Sequence, residues 1–93
     1  MNDESPIDLA WRIVRATIEE AEDRYGLVLF GRVEYQEAEI TLTFACPEMN
    51  RGFSQKVARR FLADGHDADV FAEFGLYPTI RKLAEERDTR HAG

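Results

Sequence analysis

The chain of 93 residues has a formal net charge of -6, and 44% of it is hydrophobic, with ten aromatic residues. This length predicts a single domain over residues 1–93 with a modest core and frayed ends at residues 1–4 and 89–93. The composition excludes global disorder, and the lack of a long apolar run or a basic leader favours a cytoplasmic protein without a membrane segment. Cys46 is the only cysteine, which excludes an internal disulfide and favours a small core residue.

The first predicted element is a helix over about residues 6–25. Ser5, Pro6 and Asp8 form a typical helix start, with a capping hydroxyl, proline at the first helical position and a following acid. Gly26 then supplies a left-handed stop. These end signals make this helix the best defined element of the sequence.

Helix 1 carries one apolar stripe with side chains every three or four positions. Its members are Ile7, Trp11, Val14, Ile18, Ala21 and Tyr25. Leu9 and Ile13 lie off the stripe and four residues apart. We therefore expect these two side chains to face a second packing surface or a partner.

Two segments with alternating apolar residues predict an antiparallel β-hairpin. They are LVLFGRVEY, residues 27–35, and EITLTFAC, residues 39–46, joined by the polar QEA. Gly31 is predicted to be a bulge or a point of close approach, and Pro47 to end the second strand. The apolar face is predicted to consist of Leu27, Leu29, Val33, Tyr35, Ile40, Leu42, Phe44 and Cys46.

The opposite face of the hairpin keeps two large apolar residues, Val28 and Phe30, beside an unpaired strand edge. Two arrangements remain open for them. They are exposed and contact a partner or a second copy of the chain, or the following loop or the last helix covers them. We favour the covered arrangement and assign any homodimer to the hairpin edge.

The C-terminal half is predicted to form three helices. An apolar stripe indicates the first over residues 53–64, with Phe53, Val57, Ala58, Phe61 and Leu62. The second, over residues 67–74, buries Val70, Phe71 and Phe74 and ends at Gly75. Pro78 and Thr79 begin the last, which reaches about residue 88. The fold class is thus α+β, with the order α-β-β-α-α-α and a two-stranded hairpin packed against helices.

Residues that commonly carry catalysis or bind metals are sparse. His66 lies in DGHDAD, which does not match an EF-hand loop, and His91 lies in the C-terminal tail. The sequence contains no Gly-rich phosphate loop and no GxSxG or HExxH motif. We therefore expect a protein that is not an enzyme and that uses neither a metal nor a cofactor.

The stretch DVFAEFGLYPTIRKLAEER, residues 69–87, resembles a helix-turn-helix. Thr79, Arg81 and Lys82 would begin its second helix, where contacts to DNA bases are made. The turn is about one residue short, and two glutamates follow the basic pair and offset its charge. DNA binding or a transcriptional accessory role is therefore only the alternative function. The chain is so acidic that we do not expect nucleic acid to be its partner.

The acidic residues are concentrated in the first half of the chain. Residues 1–50 contain eleven acids and four bases, whereas residues 51–93 contain seven acids and eight bases. In helix 1 and in the last helix bases precede acids, which opposes the helix dipole. We interpret the acids as a partner-binding surface, although an ordinary solvated face would contain the same residues. The predicted surface is Glu19, Glu20, Glu22, Asp23, Glu34, Glu37 and Glu39, with Phe30 and Tyr35 as hydrophobic anchors.

This surface predicts a non-enzymatic interaction protein with a basic protein as its partner. An inhibitor that occupies the nucleic-acid-binding surface of a host-defence protein would have this character. Small phage-encoded inhibitors of host defence, including anti-CRISPR proteins, are similar in size and acidity. The similarity is confined to those two properties.

Overall fold

The computed structural model describes residues 5–63 and 65–92, with backbone only for residues 63, 65–67, 91 and 92. Helix α1, Pro6–Tyr25, has the predicted bounds. Its first turn is capped by the Ser5 hydroxyl oxygen, which accepts a 3.2 Å hydrogen bond from the Asp8 backbone N–H. Gly26 ends the helix in the left-handed conformation, with φ at 67°. The sequence signals at both ends are therefore confirmed.

The buried face of α1 is wider than the predicted stripe and is rotated from it. Its buried residues are Leu9, Ala10, Ile13, Val14, Thr17 and Ala21. Trp11, which was predicted to lie in the stripe, is 40% exposed. The predicted stripe accounted for only one packing surface, but α1 lies against the sheet on one flank and against the C-terminal helices on the other. Leu9 and Ile13 do face a second packing surface, as expected.

A three-stranded antiparallel sheet replaces the predicted two-stranded hairpin. Its strands, in the order β1-β2-β3, are β1 (Phe30–Tyr35), β2 (Glu39–Cys46) and β3 (Arg51–Ala58). The apolar face of β2 is buried as predicted, at Ile40, Leu42, Phe44 and Cys46. Tyr35 lies on this face opposite Ile40, as predicted, but its side chain is 55% exposed at the end of β1. Residues 27–29 form a connection without regular secondary structure that precedes β1.

The helix predicted over residues 53–64 is also wrong, because its first half forms β3. Phe53 and Val57 are four residues apart, a spacing that fits one face of a helix and one face of a strand equally well. In the sheet Phe53 lies opposite Phe44, and the centroids of their stacked rings are 5.0 Å apart. A two-stranded hairpin is marginally stable, and β3 pairs with the edge of β2 that such a hairpin would leave open.

Residues 65–92 are helical throughout, and we call them the C-terminal helical segment. It comprises α2 (Gly65–Phe71), a π-helical turn (Ala72–Leu76) and α3 (Tyr77–Ala92). The Tyr77 N–H bonds to the carbonyl oxygen of Ala72, which is the wider spacing of a π-helix. This turn accommodates Pro78, which lacks an N–H and whose ring would crowd the carbonyl group four residues earlier. The break predicted at Gly75 and Pro78 is therefore wrong.

The helices cover one face of the sheet, and the core lies between the two layers. The π-helical turn leaves Phe74 76% exposed, so its predicted burial is wrong. Val28 and Phe30 are 52% and 63% exposed, so the predicted cover by a loop or the last helix is wrong as well. Within residues 5–63 and 65–92, no helix has the length and apolar character needed to cross a membrane.

Candidate functional site

A groove between α1 and the C-terminal helical segment has carboxylates on both walls. Glu20 comes from α1, and Asp69 and Glu73 come from the opposite wall. Two depressions of about 220 Å³ and 320 Å³ follow the groove, and both are lined by Glu73 and Tyr77. We call this feature, defined by Glu20, Asp69, Glu73 and Tyr77, the acidic groove.

The spacing of residues along two helices that run in the same direction builds this groove. The α1 wall consists of residues four apart, which lie one above another on a helix. They are Arg12, Ala16, Glu20 and Arg24. The opposite wall has the same spacing, with Asp69, Glu73 and Tyr77. The acids of the two walls therefore lie on one surface.

The environment of Tyr77 reflects the charge of the groove. Partial burial raises the pKa of the Tyr77 phenol, and the negative charges of Glu20, Asp69, Glu73 and Glu19 raise it further. A neighbouring carboxylate disfavours the negative phenolate, so these four acids lie close enough to Tyr77 to act on its hydroxyl group.

Arginines lie in the groove beside two of its three acids. The guanidinium of Arg12 is 3.9 Å from Asp69, and that of Arg24 is 2.8 Å from Glu20. Among the described residues Glu73 forms no ion pair within 4.0 Å. The carboxylate of Glu73 is thus the acid of the groove that remains available to a cation from a partner.

The hairpin acids lie away from the groove, on or beside the face of the sheet that is turned away from the helices. Glu34 pairs with Arg32 at 2.6 Å, and Glu39 lies 3.8 Å from Lys56. Both side chains belong to positions that alternate with the buried face of the sheet. Glu37 is in the turn, where its backbone carbonyl accepts a 3.4 Å hydrogen bond from Arg59.

The direction of the chain also separates the hairpin acids from those of α1. The Leu27 N–H bonds to the Ala21 carbonyl, and Gly31 lies against Val14, so the chain runs back along α1 after Gly26. The β1–β2 turn and the acidic end of α1 therefore lie in opposite directions from the Val14–Gly31 contact. Standard rises per residue put them roughly 20 to 30 Å apart. The structure does not bring the predicted acidic surface together.

The remaining predicted partner-binding residues fall into two groups. Glu19, Glu22 and Asp23 are exposed near the C-terminal end of α1, and Glu19 lies close enough to the acidic groove to act on Tyr77. Phe30 and Tyr35 are exposed on β1, on opposite faces of that strand. The two aromatic residues thus do not form one anchor beside the acids.

The predicted DNA-binding residues lie within an uninterrupted helix. The Thr79 hydroxyl donates a long 3.5 Å hydrogen bond to the Gly75 carbonyl oxygen, Arg81 lines the acidic groove, and Lys82 is exposed. A helix-turn-helix requires a turn between two helices, and residues 65–92 supply none. The predicted motif geometry is therefore wrong.

Sequence reasoning missed Asp69, Glu73 and Tyr77 as parts of a site. Their common spacing of four residues was visible, but the predicted break at Gly75 separated Tyr77 from the helix that was predicted to contain Asp69 and Glu73. The longer helix also changes the charge order, because Asp69 and Glu73 now precede Arg87 and Arg90, in agreement with the helix dipole. On α1 the ion pair that forms is Glu20 with Arg24, the stabilising acid-before-base order.

Cysteine and histidine side chains could also carry chemistry. Cys46 is buried, as expected of a core residue. Asp64 lies outside the described residues, as do the side chains of His66, Asp67 and His91. Among the described residues, no group of three or more histidines, cysteines or acids is arranged to hold a metal ion.

Comparisons with protein families, with curated proteins and with solved structures give no match for this chain. A functional conclusion therefore depends on the geometry and charge of the chain itself.

Proposed function

We propose that this chain is a non-enzymatic interaction protein that binds a basic macromolecular partner in the acidic groove. The observation that supports this proposal is the placement of Glu20, Asp69 and Glu73, from two helices, along two depressions that share Glu73 and Tyr77. Exposed Glu19, Glu22 and Asp23 extend the negative surface along the end of α1. Arg12, Arg24 and Arg81 also line the groove, so the attraction for a basic partner rests on Glu73, which forms no ion pair among the described residues, and on the exposed acids at the end of α1.

The shape of the groove suits a long cationic side chain. Ile13, Ala16 and Ala72 line the part of the groove between Arg12 and Tyr77. The apolar stem of a lysine or arginine packs on such a surface while its charged end reaches a carboxylate. Glu73 lies at the junction of the two depressions and is the expected acceptor for that charge.

The class of partner follows from the chemistry of the groove. Surfaces that present several lysines or arginines are typical of proteins that contact the phosphates of nucleic acids. A protein that occupied such a surface would exclude the nucleic acid. We therefore propose an inhibitor of a nucleic-acid-binding protein as the more specific form of this function.

Two variants with the same net charge test the site. The groove variant combines Glu20→Gln, Asp69→Asn and Glu73→Gln, and the control variant combines Glu34→Gln, Glu37→Gln and Glu39→Gln. Isothermal titration with an oligolysine peptide at low salt should show weaker binding for the groove variant than for the control. Equal affinities would contradict the groove and leave only the net charge as the cause of binding.

DNA binding is tested in the same buffer. The proposal predicts no shift of duplex DNA in an electrophoretic assay with the wild-type protein. A shift that is lost on Arg81→Ala and Lys82→Ala would contradict the proposal and support a DNA-binding function instead.

A further inference from the structure

The edge strand β1 carries opposite charges on either side of its central residue. Arg32 and Glu34 flank Val33, and their side chains are 69% and 53% exposed on the open face of the sheet. They now form an ion pair with each other at 2.6 Å. The strand is the first in the order β1-β2-β3, so its outer edge has no neighbouring strand in the described chain.

We infer that a second copy of this chain pairs with β1 in an antiparallel register centred on Val33, which joins two sheets into one of six strands. An exposed edge is a ready template for such pairing. Protein interfaces that extend a sheet in this way obtain their affinity from backbone hydrogen bonds and their register from side chains.

The charges select the register. In an antiparallel pair of identical strands, residues directly opposite each other point to the same face of the sheet. The two-fold axis that relates the strands must therefore pass between one residue and its own copy. Centring on Arg32 or on Glu34 places that residue opposite its own copy, which is a like-charge contact. Centring on Val33 places Arg32 opposite Glu34 of the second copy, and the same contact forms twice. Opposite charges in directly facing positions stabilise antiparallel strands.

Uncharged residues of β1 fit the same register. Gly31 falls opposite Tyr35 of the second copy, and Val14 and Phe44 lie over Gly31, so the 55% exposed tyrosine ring would meet apolar side chains there. Pairing of β1 would therefore bury aromatic surface. It would also give hydrogen-bond partners to the backbone N–H and C=O groups on the open edge of β1.

The other edge strand, β3, does not carry opposite charges on either side of a central residue. β3 carries Arg51 and Lys56 and no acid, so a copy of β3 beside itself would bring only positive charges together. Self-association through the sheet is therefore assigned to β1. The contact is confined to one six-residue strand and its neighbours, so we expect a weak and reversible dimer.

A charge exchange tests the proposed register. The Arg32→Glu variant carries two acids beside Val33, and the Glu34→Arg variant carries two bases. Sedimentation velocity at concentrations up to about 1 mM should show a concentration-dependent dimer for the wild type and monomers for each variant alone. An equimolar mixture of the two variants should form dimers again, because each supplies the charge that the other lacks.

The control is Lys56→Glu on the opposite edge, which changes the net charge by the same amount as Arg32→Glu. This variant should dimerise like the wild type. A wild-type chain that stays monomeric over the whole range would overturn the inference. A mixture that stays monomeric while the wild type dimerises would also overturn it, because the register would then be wrong. Circular dichroism of each variant confirms that it is folded.

Discussion

A Cβ atom added to Gly31 would lie 2.6 Å from the Cγ1 methyl group of Val14. The ring of Phe44 would be 3.3 Å away on the other side. Real Cβ atoms do not approach other carbon atoms so closely, so α1 can lie this near to β1 only because residue 31 has no side chain. The register of β1 with β2 is continuous through Gly31, which is therefore a point of close approach and not a bulge.

We expect Gly31→Ala to lower the free energy of unfolding by about 1 to 3 kcal/mol, the usual cost of an extra methyl group in a packed core. The β-branched side chain of Val14 has little freedom to move aside. Urea denaturation monitored by circular dichroism measures the change. The double variant with Val14→Ala should recover part of the loss from Gly31→Ala, and additive losses would contradict the contact.

Two glycines that were both predicted to end helices should respond oppositely to alanine. Gly26 has φ at 67°, so Gly26→Ala should cost about 1 kcal/mol or more. Gly75 lies inside the C-terminal helical segment, and a Cβ atom there would lie 3.8 Å from the Phe71 ring, an ordinary contact. Gly75→Ala should therefore stabilise the protein by up to about 1 kcal/mol. Denaturant melts that show destabilisation by Gly75→Ala would indicate that a helix ends there.

We expect the burial of Tyr77 and the acids around it to make stability depend on pH in the alkaline range. The pKa of Tyr77 is raised in the folded protein, whereas an unfolded tyrosine titrates near pH 10. A raised folded pKa stabilises the protein below pH 10, and this contribution is lost as the pH rises from there through the folded value. Tyr77→Phe should remove this dependence, measured as the difference between urea melts below and above pH 10.

Neutralising an acid of the groove should move the Tyr77 titration itself. Glu73→Gln should lower the pKa of Tyr77, because it removes one of the charges that disfavour the phenolate. The control is Glu85→Gln, an exposed acid of the same helical segment that does not line the groove. Carbon NMR of labelled tyrosine follows the titration. An unchanged pKa in the Glu73 variant would show that the carboxylate does not face the hydroxyl group.

Local signals predicted the parts of the fold that depend on one segment at a time. Ser5 and Gly26 define α1 because capping is decided by a few neighbouring residues. The identity of β3 depends on an interaction with β2, and the spacing of Phe53 and Val57 fits both a helix and a strand. The long-range pairing with β2 decides between a helix and a strand. The sequence of this segment alone does not reveal that pairing.

The site was harder to predict than the fold for the same reason. An acidic surface on α1 could be predicted from the sequence alone, and Glu20 does belong to the groove. Its companions Asp69 and Glu73 lie about fifty residues away along the chain and reach it only through packing of two helices. Pro78 normally indicates a helix start, and the π-helical turn that keeps it inside a helix has no simple sequence signature.

The central claim is that the acidic groove binds a basic partner, and amide chemical-shift mapping tests it most directly. Isotopically labelled protein is titrated with an oligolysine peptide at low salt. We expect the largest shifts at residues 16–24 and 69–77, on the two walls of the groove, with loss of the shifts as salt is added. Shifts of equal size around Glu34, Glu37 and Glu39 would contradict the claim, because the peptide would then follow the overall charge and not the groove.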